Sequence, residues 1–398
     1  MKRLLVILSI ISLFHSFAFA QKKEISQAQT YVKTGKNLDK AEASMRKLLA
    51  DSANHANIKI WHTLTEAIRL QYEQANEQLY LKQKFDTASL FNIELRMFQA
   101  YESMDSVDAR PDHKGRVTIK YRKRNAEYLS VYRKNLYNGG VFFLSKQNYK
   151  SAFNLFDAFL DCVNQPLFSN NKLSMTSPSE LSAAYLATYC GVKLGNSDLA
   201  LKYSSSALDY KPGREKTLQF LANIYSEKKD TVLYRESLKT GFDEYPQNEF
   251  FFTRLVDFYN GKNQIDSANV VVDKALMADS LNTLFLYAKS NLLLNMGEYG
   301  KCVSICDSLI ARNDTLADAY YNAGVAYMNM AFKAEGKSQM KKYYKCSLPY
   351  MERYRELAPD QKDKWAAALY NIYLNLNMGK KFEEIVGILK NRNNPNQY

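Results

Sequence analysis

Histidine is scarce in this chain, with four among 398 residues. His15 falls within the first 20. His55, His62 and His113 stand in no His-Glu-x-x-His helix and beside no cysteine at ligand spacing, so the usual zinc patterns are excluded. Cysteine is sparse as well. Five in a chain of this length make no disulfide framework. Cys302 and Cys306, one helical turn apart, read as core residues rather than a metal or redox pair, because buried thiols pack as small hydrophobes. No Gly-x-Ser-x-Gly elbow occurs. Paired carboxylates such as Glu383 and Glu384 sit on what reads as a solvated helix face. Ala331 to Ser338 fits a phosphate loop only with Ala in the first glycine position, and no strand is expected before it. Nothing brings nucleophile, base and oxyanion donors together. We therefore expect no catalytic residue, no metal and no cofactor. An enzyme hidden before residue 133 is the weakest alternative.

Long apolar runs are missing except for Leu4 to Phe14, which is broken only by Ser9 and Ser12. Lys2 and Arg3 precede it and Ala18-Phe19-Ala20 follows. Residues 1–20 read as a secretory signal peptide with Gln21 as the mature terminus. The run is too short for a comfortable membrane span, and no later stretch reaches 18 apolar residues, so no transmembrane span is expected in the mature chain. The formal charge is +13. In an exported chain that excess points to anionic lipid, cell-wall polymer or an acidic partner rather than to nucleic acid.

Proline and glycine are few, eight and fifteen, and helical periodicity dominates. A 34-residue step is present. It links Pro212, Pro246, Ser280 and Asp314, and also Ala200, Tyr234, Ala268 and Cys302. Leu136, Gly139, Gly140, Phe143, Ala152 and Phe156 form one unit. Ala184, Ala187, Ala200, Ala207 and Pro212 form the next. Leu218, Leu221, Ala222, Tyr225 and Pro246 follow, then Phe252, Leu255, Tyr259, Ala268 and Ala275. Leu286, Leu293 and Cys302 mark a weaker fifth. The pattern resembles the tetratricopeptide repeat family, most strongly over 133–330. The resemblance implies an all-α fold, an α-α superhelix of antiparallel helix pairs. Small residues let the two helices of a pair approach, and proline ends the second helix. Residues 21–112 read as divergent hairpins, continuous with a solenoid over 113–398. Two units, beginning near Trp61 and Tyr320, carry insertions that predict lengthened helices projecting past the solenoid edge. Long loops are expected near 108–115 and 165–179.

The resemblance also implies which residues face a concave groove. These are Tyr137, Tyr185, Tyr189, Gln219, Asn223, Thr253, Asp257, Tyr287, Asn291, Tyr321 and Asn322. Tyrosine supplies contact area and a hydroxyl at low entropic cost. The family's clamp for C-terminal carboxylates is present only in fragments, since Tyr287 stands where it needs lysine. The expected role is a scaffold for a protein or peptide partner in the cell envelope, in the periplasm and in one version at the outer membrane.

Two further patterns stand apart. His113 to Lys134 is basic, and Arg116, Lys120 and Arg124, with Lys123 nearby, are spaced to share one helical face. The stretch reads either as a solvated face or as a stripe for peripheral contact with an anionic surface. Asp-Ser/Thr-apolar tripeptides place Ser52, Thr87, Ser106, Thr231, Ser267, Ser280, Ser308 and Thr315 after an aspartate. They resemble the acceptor motif of the general O-glycosylation system of Bacteroidota. The same residues also suit helix starts.

Overall fold

A computed structural model describes residues 21–392; the expected signal peptide lies outside the described residues. Among the described residues there are helices and turns and no strand, so the fold is all-α. No described helix is long and apolar enough to cross a membrane. The described residues divide into two compact units, the first ending at Ile224 and the second beginning at Tyr225.

The first unit contains a helix over 21–34 (α1), then α2 (Leu38–Leu49), α3 (Ile58–Tyr80), α4 (Thr87–Asp108) and α5 (Arg122–Ser145). After these come α6 (Tyr149–Asp161), α7 (Pro178–Lys193), α8 (Ser197–Lys202), α9 (Ser204–Asp209) and the start of α10 (Arg214–Glu227). Each start has a local cause. Asn57, Asp86, Asn148 and Asn196 accept backbone N–H bonds from the first turns of α3, α4, α6 and α8, each cap contributing about 1 kcal/mol. Sequential helices pack on one another, α2 on α3, α3 on α4, α5 on α6 and α6 on α7. The lengthened pair appears as expected: α3 has 23 residues and α4 has 22, and α5 reaches 24. The two predicted loops occupy 109–121 and 162–177, the second containing a 3₁₀ turn at Pro166–Phe168.

Tyr72, Phe98 and Phe156 are fully buried in this unit's core. Gly191 shows how tightly the small column packs. A Cβ there would stand 2.3 Å from the backbone nitrogen of Ala200, so α7 and α8 meet backbone to backbone, which only glycine allows. The single second helix implied over Ala200 to Ala207 is instead split at Tyr203 (φ −120°, ψ 9°). The Tyr203 hydroxyl donates to Asp157 of α6 at 2.8 Å, and Lys202 pairs with the same carboxylate.

The second unit contains α11 (Thr231–Glu244), α12 (Glu249–Gly261), α13 (Ile265–Ala278), α14 (Thr283–Asn295), α15 (Tyr299–Arg312) and α16 (Ala317–Phe332). It ends with α17 (Lys337–Leu357), α18 (Lys362–Asn375) and α19 (Gly379–Arg392). Here the repeat is literal. The starts of α11, α13 and α15 are 34 residues apart, and so are those of α12, α14 and α16. The tight turn inside each pair carries a left-handed residue at the same step: Lys229 (φ 58°), Asn263 (φ 56°) and Gly297 (φ 81°). Only asparagine and glycine enter that region easily. Ala268, Ala275, Cys302, Cys306 and Ala323 are fully buried in the small columns. All five cysteines are free. The Cys302 and Cys306 thiols are therefore core, as read from the repeat. Ala331 lies in the last turn of α16, which ends at Phe332, and Lys337 opens α17, so the phosphate-loop look-alike runs from one helix into the next with no strand before it.

Candidate functional site

In the second unit a cavity of about 570 Å³ opens beside Tyr287. Leu284, Leu309, Leu316 and Ala319 supply apolar wall, and Glu249 and Asp318 supply carboxylates at its edge. Asn282 fixes the start of α14 by accepting from the backbone N–H groups of Leu284 (3.0 Å) and Phe285 (3.3 Å). Burial pushes the Tyr287 phenol above its ordinary pKa, which keeps the hydroxyl protonated.

The other expected groove residues divide by environment. Asn223 and Asp257 are exposed. Tyr185 lies against Tyr210 at 5.5 Å between ring centroids, and Tyr189 against Tyr149 at 6.2 Å. Tyr321 packs on Tyr354 at 5.0 Å. Tyr185, Tyr189 and Tyr321 each keep a partly exposed surface. Tyr137 sits edge-on to Phe156 and Phe159 and bonds Ser182 Oγ at 3.0 Å. Gln219 accepts from Lys216 at 2.9 Å. The Thr253 hydroxyl donates to the Glu249 carbonyl of its own helix.

Asn322 does not belong to an open groove. It is 2% exposed, and its amide donates to Ser290 Oγ (3.0 Å) and Asn291 Oδ1 (2.8 Å). That pair of bonds joins α16 to α14 and engages Asn291 as well. A buried amide needs such partners, which makes Asn322 a latch.

The basic stripe is also corrected. Residues 113–120 are not helical, so Arg116, Lys120 and Arg124 do not share a helical face. Arg116 pairs with Asp112 at 3.0 Å. The Lys120 and Tyr121 backbone N–H groups donate to Asp108, which pins the chain before α5. Lys123 and Arg124 are exposed in the first turn of α5. Arg133 at the end of the basic stretch is no surface charge. It is 9% exposed, pairs with Glu180 at 3.0 Å, donates to the Phe159 carbonyl and lies 3.9 Å over the Phe159 ring.

The eight Asp-Ser/Thr sites fall in different contexts. Asp51, Asp86 and Asp230 are N-caps, so Ser52, Thr87 and Thr231 open a helical turn. Ser267 lies in the first turn of α13, and Ser280 and Thr315 lie in turns. Ser106 and Ser308 are exposed within α4 and α15.

Phase-based reading missed a polar cluster in the first unit. Arg69 of α3 is held by Glu66 (2.8 Å) and Glu73 (2.7 Å). The Tyr128 hydroxyl donates to Glu73 at 3.0 Å, and Tyr101 stacks toward Tyr128 at 6.3 Å. The signal was present as Glu-x-x-Arg-x-x-x-Glu on α3, which reads equally well as a solvated helix face. Deeper in the same unit Glu94 is 0% exposed with neither oxygen partnered, and burial pushes its carboxyl up to about 9. Among the described residues no group of three His, Cys, Asp or Glu is placed to hold a metal.

No family model matches the chain, and no curated protein matches it. Solved structures do. One is the C-terminal part of a TPR repeat-containing protein from Cytophaga hutchinsonii. It is 15% identical and has a TM-score of 0.42, over 63% of this chain and 92% of that one. Another is a tetratricopeptide repeat protein from Parabacteroides merdae, 16% identical with a TM-score of 0.35, over 65% and 97%. A third is YrrB, described as a TPR protein with an unusual peptide-binding site, 18% identical with a TM-score of 0.35, over 48% and 91%. The class is set by this chain's own 34-residue step and helix pairs: an all-α fold of the tetratricopeptide-repeat, α-α solenoid kind.

Proposed function

We propose that this chain is an exported, non-enzymatic scaffold that holds a protein or peptide partner of the cell envelope against the first helices of its pairs. The observation that carries this reading is the cavity beside Tyr287. An apolar wall edged by Glu249 and Asp318 suits a side chain such as Leu or Phe flanked by lysine or arginine. Binding energy at such sites concentrates in a buried anchor. The test is photo-crosslinking in the native envelope from position 284, with position 270 as the control, since Val270 is exposed elsewhere on the unit. A partner captured at 284, absent at 270 and lost in Tyr287→Ala at a temperature where that variant is still folded is the expected result. Equal capture from both positions removes the proposal. Export to the periplasm is part of the same reading, and fractionation with a periplasmic marker tests it.

A second reading, contact with an anionic surface, draws on the start of α5. Its first turn carries the exposed Lys123 and Arg124 with no acid and no side-chain cap. It predicts salt-sensitive sedimentation with envelope fractions that is lost on reversing Lys120, Lys123 and Arg124.

A further inference from the structure

We infer that the first unit carries a separate site for a small zwitterion, a molecule with one carboxylate and one ammonium group on a short skeleton. The site is a cleft of about 210 Å³ lined by Glu66 and Arg69 of α3, Tyr101 of α4, and Arg124, Asn125 and Tyr128 of α5. Liquid water occupies about 30 Å³ per molecule, so the cleft has room for roughly seven waters. A free amino acid with a small side chain is of that size.

The position of each group has a cause. Arg122 Nε and Nη2 donate to the Asp105 carboxylate at 2.9 and 2.8 Å, and Asp108 accepts from the Lys120 and Tyr121 backbone. Together these fasten the first turn of α5 to the end of α4 and bring Arg124 and Asn125 to the cleft. Asn125 is 2% exposed, and its amide nitrogen has no acceptor. A buried donor left so is costly, and a turn of the Asn125 amide into the cleft, whose wall it forms, would let a ligand carboxylate satisfy it. Arg124 is exposed and has no carboxylate within ion-pair distance among the described residues. A guanidinium and an amide together favour a carboxylate.

The opposite wall favours a cation. Glu66 Oε2 receives both Arg69 contacts, at 3.3 and 2.8 Å. Its Oε1 has only a 3.5 Å contact from the Tyr101 hydroxyl, which leaves acceptor capacity. Arg69 cannot turn toward a ligand, because Nε and Nη2 are held by Glu66 and Nη1 by Glu73. Two carboxylates, Glu66 and Glu73, balance two guanidiniums, Arg69 and Arg124. A net anion would meet the carboxylates and a net cation the guanidiniums. A zwitterion meets both walls favourably, its carboxylate toward Arg124 and Asn125 and its ammonium toward Glu66 and the aromatic faces.

The test is calorimetric titration of the whole chain with glycine, L-alanine and L-serine, beside two probes that each lack one end, N-acetyl-L-alanine and L-alaninamide. At least one free amino acid should bind, and each one-ended probe at least tenfold more weakly. Arg124→Ala should weaken binding at least tenfold. Asn125→Leu should do the same while holding or raising the Tm, because it removes the unpaired donor without opening a hole. No heat from any amino acid at about 10 mM would overturn the proposal. So would N-acetyl-L-alanine binding as tightly as L-alanine, which would point to a chain terminus or a plain acid, or unchanged affinity in both variants.

Discussion

In the first unit Glu42, Glu94, Asp105, Arg133 and Glu180 are buried, whereas the buried polar side chains described in the second are Ser237, Ser290, Asn322 and Ser347. The difference follows the helices. In the second unit α12 to α15 have 13 or 14 residues each, and buried alanine and cysteine bring them close. In the first unit long helices meet without a strict repeat, and charged side chains occupy the interfaces. Burial opposes ionisation of Glu42, but hydrogen bonds from Gln71, Arg46 and Arg96 outweigh it and hold the carboxyl below its ordinary pKa. A regular repeat lets each pair reuse one steric solution. An irregular stack needs a separate electrostatic solution at each interface, and those solutions leave clefts such as the one at Asn125.

The largest loss is expected from Arg133→Met. It leaves Glu180 buried without its partner and should cost about 3–5 kcal/mol in urea unfolding. The double variant Arg133→Met, Glu180→Leu should recover most of that loss. A single variant within about 1 kcal/mol of the parent would mean that charge does not hold the first unit together.

Glu94 should act next, and in the stabilising direction. Its pKa rises from 4.5 unfolded to about 9 folded, so the folded state keeps a proton that the unfolded chain releases. Any stability it lends is complete below pH 4.5, falls as pH climbs, and is gone above about 9. Glu94→Met should flatten that slope and raise stability at pH 8 by on the order of 2–4 kcal/mol. Parallel curves of Tm against pH for the two proteins would show that this carboxyl is not the source.

Within the second unit, Asn322→Ala should cost about 1–3 kcal/mol, because it strands Ser290 and Asn291. Loss of hydrogen-exchange protection confined to α14 and α16 would check it. Asp230→Ala should cost about 1 kcal/mol by removing the cap that receives Val232 and Leu233. If Asp230→Ala proves the more damaging of the two, the latch is not what joins those helices.

Much of the second unit could be read from the sequence, because its packing depends on residue size at a fixed step. Ala268, Cys302 and Cys306 lie where that step puts them. Asn322 was misplaced because the phase that assigns a groove position does not say whether Ser290 and Asn291 lie within bonding distance. In the first unit Arg133 read as one more surface cation. Its partner Glu180 is 47 residues away and its ring partner Phe159 is 26 away, and no local period relates them. The stripe failed for a related reason. Arg116 and Lys120 have helical spacing in the sequence, but Asp112 and Asp108 bind the backbone of the segment and hold it out of a helix.

The matched starts of α12 and α14 carry a consequence for how this chain can change. Asn248 caps α12 and Asn282 caps α14 in the same manner. Excising 249–282 would therefore set Asn248 directly before Thr283, with a competent first turn intact at the new junction. At such seams the start of the following helix survives the loss or copying of a whole hairpin, and what remains to be met is the fit between the newly joined helix faces.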